Sequence, residues 1–116
     1  MSIKRIPGNA KGRCRAVVSG GLVYTVATDA TSSSTIVEQT RLALETIEQN
    51  LVEAGSSKSN LLQVTIYLRD MSTKAEMDAV WCEWIGGQEN WPQRATIGVD
   101  LAGNDLIEIV VTAALS

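Results

Sequence analysis

Few residues in this chain can do chemistry, and their types narrow the choice at once. Histidine is absent, and imidazole is the usual general base near neutral pH and the commonest metal ligand. Catalytic triads and zinc sites therefore largely fall away. Cys14 and Cys82 are the only thiols and form no CxxC pair, so one chain cannot supply a four-thiolate zinc or iron–sulfur site. Chemistry is left to carboxylates, arginine, hydroxyls, thiols and backbone.

Among these, Arg94 and Glu108 stand out. Arg94 begins one β-rich run and shares its alternating face with Thr96 and Gly98; Glu108 lies in the following run. The pattern predicts both on the sheet face away from the helices, close to each other across a hairpin. A guanidinium offers a planar fork for a substrate carboxylate, and a neighbouring carboxylate can orient or deprotonate water. The same spacing also suits a plain cross-strand or intersubunit salt bridge.

The elements that must carry these residues can be read along the chain. Residues 14–18 and 22–28 are β-rich and separated by Gly20-Gly21, a two-residue hairpin signal, and a short edge strand is expected at 3–6. A polar loop, DATSSS, follows at 29–34. Thr35-x-x-Glu38 opens a helix as a capping box; Ile36, Thr40, Ala43, Leu44, Ile47, Leu51 and Ala54 recur down one face, and Gly55 ends it. Glu38, Arg41, Glu45, Glu48 and Glu53 form its wet side. Leu62, Val64, Ile66 and Leu68 alternate with polar residues as a half-buried strand. Thr73-x-x-Glu76 caps a second helix with Met77, Val80, Trp81, Trp84 and Ile85 on one stripe, read as core, and Gly86-Gly87 terminates it. Strands at 94–101 and 106–114 complete the order.

Each strand–helix–strand step crosses right-handed, which puts both helices on one face of a single sheet in a two-layer α+β domain spanning 1–116. In the last strand Ile107, Ile109, Val111 and Ala113 should face the helices. Leu106, Glu108, Val110 and Thr112 then lie on the bare side, with Val17, Val23 and Ala27 adding to it. Such a face is too apolar for open water, so a homo-oligomer, dimer or trimer, is expected.

Taken in order, SGGLVYT (19–25), QTRLALETIEQNLVEAGSS (39–57), VTIYLRDM (64–71), WPQRAT (91–96) and IEIVVTAA (107–114) resemble the RidA/YjgF family over nearly the whole chain from about residue 16. The resemblance implies a chorismate-mutase-like fold, a homotrimer with clefts between subunits, and hydrolytic deamination of small 2-imino or enamino carboxylic acids to 2-keto acids and ammonia, with no cofactor or metal. It implies Arg94 as carboxylate anchor and Glu108 as the residue that positions water. A non-catalytic homotrimer binding a small carboxylate metabolite is the alternative. The sequence also departs from the family. Val26-Ala27-Thr28 stand where S-G-Q is usual, and Gly12-Arg13-Cys14 stand at the G-P-Y step that carries the cleft tyrosine. Thr96 replaces a cysteine, and Asp78 an asparagine. Thr96 and residues Val26, Ala27 and Thr28 would shape the cleft; Cys14 would either line it, activated by Arg13 and Arg15, or sit as a half-buried strand thiol.

Composition sets the remaining bounds. With 45% hydrophobic and 20% charged residues the chain is ordinarily globular. Five of its ten positive charges lie in the first fifteen residues, yet the net charge of -3 is a poor basis for holding a phosphate backbone. No nucleic-acid or membrane partner is expected. The N-terminus has no apolar core of the kind a signal peptide needs, so a cytoplasmic chain with reduced cysteines is expected.

Overall fold

A computed structural model describes residues 2–31 and 33–116. Position 32 of the polar loop lies outside the described residues. Six strands and two helices follow one another as β1 (Ile3–Pro7), β2 (Cys14–Ser19), β3 (Leu22–Ala27), α1 (Ile36–Glu53), β4 (Leu61–Leu68), α2 (Lys74–Ile85), β5 (Gln93–Gly98) and β6 (Ile107–Ala114). Short 3-10 turns at Lys58–Asn60, Met71–Thr73 and Gln88–Asn90 link them.

All six strands join one mixed sheet in the order β1-β2-β3-β6-β4-β5. Gly20 and Gly21, with φ of 61° and 79°, make the tight turn between β2 and β3 that only glycine adopts without strain. β6 lies antiparallel between β3 and β4, whereas β5 runs parallel to β4 at the edge. The expected hairpin between β5 and β6 is therefore absent. The helical crossover through α2 is long enough to bring β5 back parallel beside β4, and β6 is left to fill the slot between β3 and β4.

Both helices contribute to the core on one face, and the α+β architecture is the expected one. The apolar face of α1 is buried from Ile36 to Leu51, and Met77, Trp81 and Ile85 of α2 are buried beside it. Against them lie Val64, Ile66 and Leu68 of β4 and Ile107, Ile109, Val111 and Ala113 of β6. Burying each large aliphatic side chain contributes roughly 1.5–3 kcal/mol. Three local expectations need correction. Val23 and Ala27 belong to the helix-covered face; Tyr24 and Val26 are the exposed members of β3. Leu62 is exposed because a register shift between Leu61 and Gln63 turns Leu61 inward in its place. Thr73 makes no side-chain cap for α2; its hydroxyl instead donates to the Asp70 carbonyl. The Thr35 cap forms as expected, its Oγ accepting from the Glu38 N–H at 3.2 Å.

Opposite the helices the sheet is open. Tyr24, Val26, Ile97 and Val110 are exposed there, and Val26 pairs directly with Val110 across β3 and β6. Among the described residues no helix is long and apolar enough to cross a membrane.

Candidate active site

Register decides which face each chemical group occupies. Arg94 pairs with Val64, a fully buried member of β4, so its side chain leaves β5 toward α2. Its Nη2 donates to Asp78 Oδ1 at 2.6 Å, and its guanidinium carbon lies 5.4 Å from the centre of the Trp81 ring. Lys74, one turn before Asp78, donates to the other carboxylate oxygen at 2.7 Å. Burial alone would raise the Asp78 pKa, but the hydrogen bonds and charges of Lys74 and Arg94 outweigh it and hold the carboxyl below its usual range. Arg94, Asp78 and Trp81 line a cleft of about 360 Å³ that also includes Trp91 and Pro92. Trp91 Nε1 donates to the Gly86 carbonyl at 2.9 Å, pinning the WP segment over the end of α2.

Glu108 occupies the opposite face. It pairs with Tyr67, between the buried Ile107 and Ile109, and so projects from the bare side of β6. A second concavity of about 360 Å³ holds it together with Val26, Ala27, Thr28, Arg13, Ala102 and Asp105. Arg94 and Glu108 are thus not neighbours within one protomer, contrary to the expected proximity. The helix-side positions of this edge strand go to Arg94 and Thr96, not the bare-side positions expected.

The other expected residues divide between these regions. Thr96, half-buried, pairs with Ile66 on the Arg94 side. Val26, Ala27 and Thr28 stand with Glu108. Cys14 is half-buried in a neighbouring groove with Val17, Tyr24, Val26 and Val110 rather than beside Glu108. Sequence reasoning missed Asp105 and named Arg13 only as a neighbour of Cys14; both line the Glu108 concavity. It also missed the engagement of Asp78, for which Lys74-x-x-x-Asp78 was the available signal. A further depression, about 390 Å³ on α1, is lined in part by Glu45, Glu48 and Glu53 and would repel a carboxylate.

The rim of the Glu108 concavity includes Ala102 and Asp105 of a loop that α1 helps to hold. Buried Gln39 donates from Nε2 to the carbonyls of Ser33 (2.6 Å) and Asn104 (3.0 Å) and accepts from the Leu106 N–H at 2.8 Å. From the other side Arg69 donates to the carbonyls of Leu101, Gly103 and Asp105 at 2.7–2.9 Å. Beside Thr28, buried Asp29 accepts from the backbone N–H groups of Thr31 and Ser33 and from the Thr31 hydroxyl. Burial works against its ionisation, but these donors prevail and lower its pKa to about 2.

A family model described as Endoribonuclease L-PSP matches residues 10–115. The chain belongs to the RidA/YjgF family. Among solved structures of this family, a YjgF protein from Neisseria meningitidis superposes with a TM-score of 0.93 at 34% identity, covering 100% of this chain and 97% of that one. A RutC family protein from Haemophilus ducreyi is 39% identical over 80 residues, 68% of each chain. The RutC family protein YoaB of Escherichia coli is 30% identical over 116 residues, 99% of this chain and all of its own. Alignments with RutC relatives from Haemophilus influenzae and Pyrococcus horikoshii span 66% and 61% of their lengths. The RidA/YjgF sheet and its two helices account for the whole architecture described above.

Proposed function

We propose that the chain forms a chorismate-mutase-like homotrimer that hydrolyses small 2-imino or enamino carboxylic acids in clefts between protomers. One observation carries the reading. Glu108 is a half-buried carboxylate with no ion pair among the described residues, set in a concavity on the apolar bare face. An assembly that set the β5 edge of one protomer against the bare face of the next would bring the Arg94 cleft toward Glu108, and each site would be incomplete alone. Arg94 would hold the substrate carboxylate. Water would add through oxygen to the electrophilic imine carbon while Glu108 takes one of its protons. With the imine nitrogen protonated at the start, that proton passes to nitrogen to give a carbinolamine; the C–N bond then breaks, the hydroxyl proton passes by way of Glu108 to the departing ammonia, and a 2-keto acid and ammonium leave. Thr96, Val26, Ala27 and Thr28 would shape the cleft, and no cofactor is required because holding the reactants in place supplies much of the rate.

The Arg94–Asp78 ion pair favours a second reading, a trimer that binds a small carboxylate metabolite without turning it over. Ammonia release from 2-iminopropionate, generated in place by an amino-acid oxidase, separates the two. A hydrolase accelerates release over buffer, loses it in Arg94→Ala, and in Glu108→Gln keeps ligand while turnover falls by about 10²-fold or more. No acceleration with any 2-imino acid overturns the hydrolase. RNA is not a partner in either reading. The net charge of -3 is a poor basis for holding a phosphate backbone.

A further inference from the structure

The Arg94 cleft already contains a carboxylate. Asp78 Oδ1 sits 2.6 Å from Arg94 Nη2. A fork that grips a ligand carboxylate through two nitrogens must share that nitrogen with it. The pair is only partly open to water, with side-chain exposures of 20% for Arg94 and 31% for Asp78, so its charges are screened less than those of a surface pair. The guanidinium is also fixed from the side by the Trp81 ring, which leaves it little freedom to turn away from Asp78 toward a new partner. Asp78 does have somewhere to go. Lys74 holds its second oxygen at 2.7 Å from the preceding turn of the same helix, so Asp78 can give up Arg94 without becoming an unpaired charge.

We infer that Asp78 is a positioning residue of the Arg94 cleft that sets its affinity threshold, an internal carboxylate that an incoming small monocarboxylate must displace from the guanidinium onto Lys74. The inference rests on the reading of Arg94 as substrate anchor. Together Lys74, Asp78 and Arg94 carry a net charge of +1, enough to attract one carboxylate. The displacement weakens every anionic ligand by a common factor, so only a ligand with further favourable contacts, such as with Trp81 or Trp91, is retained. Neutralising Asp78 should raise affinity for carboxylates indiscriminately.

Asp78→Asn tests this, since the amide keeps the shape and can still accept from Arg94 while removing the charge. Two readouts apply to the full chain: the affinity for pyruvate by calorimetry, and the rate of phenylglyoxal modification at Arg94 by peptide mass spectrometry. The expected result is pyruvate binding about tenfold tighter in Asp78→Asn than in the native protein, with faster modification of Arg94. Asp78→Glu, which keeps the charge, should return modification toward the native rate. The gain should vanish in Asp78→Asn combined with Arg94→Gln, which excludes a general effect of the freed Lys74. Pyruvate affinity no tighter in Asp78→Asn, or an unchanged modification rate, overturns the inference. If affinity and modification both rise while no 2-imino acid is hydrolysed, the hydrolase reading fails and the role of Asp78 stands. If hydrolysis is lost in Arg94→Ala but Asp78→Asn leaves affinity unmoved, the reverse holds.

Discussion

Arg94 and Glu108 leave the sheet on opposite faces, with β4 between their strands. Two groups so placed can act on one small molecule only if a second protomer supplies one of them. The catalytic reading consequently requires the oligomeric one, and the most direct test of that requirement is the bare face itself.

Replacing Val110 by Asp puts a charge opposite Val26 at the middle of that face. Light scattering during size-exclusion chromatography should show the assembly shifting to monomer at micromolar concentration, with the far-ultraviolet spectrum unchanged. An unshifted mass would move the interface elsewhere.

Gln39→Ala removes three hydrogen bonds from a buried site and leaves the Ser33 and Asn104 carbonyls and the Leu106 N–H without their partner. Urea denaturation should show a loss of about 2–4 kcal/mol. Gln39→Glu should do no better, because a carboxylate would face the two carbonyls.

Asp29 gives the stability a pH signature. Its folded pKa, about 2, lies below the ordinary value of 3.8, so its contribution is fully present above pH 4 and is lost as the pH falls through 2. The contribution is about 2 kcal/mol. Urea midpoints of the native protein and Asp29→Asn should differ at pH 6 and converge between pH 4 and pH 2. A gap independent of pH would show that the carboxylate charge is not what stabilises the loop.

Thr40 carries the opposite kind of polar group. Its hydroxyl is buried in α1 with no hydrogen-bond partner among the described residues. Thr40→Val should raise stability by about 1 kcal/mol, since the shape is kept and an unsatisfied group removed. Thermal and urea melts would report the gain, and a loss would point to an unseen partner.

How far the sequence carries the structure depends on the range of the signal. The stripe of α1 and the alternation of β6 are local patterns, written by which side chains must leave water, and both are legible residue by residue. The face of Arg94 is not, because it depends on the register of β5 against β4, a contact made across a helix. The inward turn of Leu61 is likewise invisible: two leucines in succession satisfy either register. RidA/YjgF membership was legible because several segments match in order. Gln39 and the pairing of Asp78 with Arg94 were not legible for another reason: buried amides and paired carboxylates look like surface residues until their partners are placed.

The loop of residues 101–106 is tied to α1 through Gln39 and to β4 through Arg69, so the rim around Glu108 is ordered when the protein folds rather than when a ligand arrives. A ligand entering there loses its own freedom but need not freeze the rim, and little of its binding energy is diverted to that end. The same economy has a cost in tolerance: a rim that cannot yield selects by fit, and a molecule slightly too large is refused rather than accommodated.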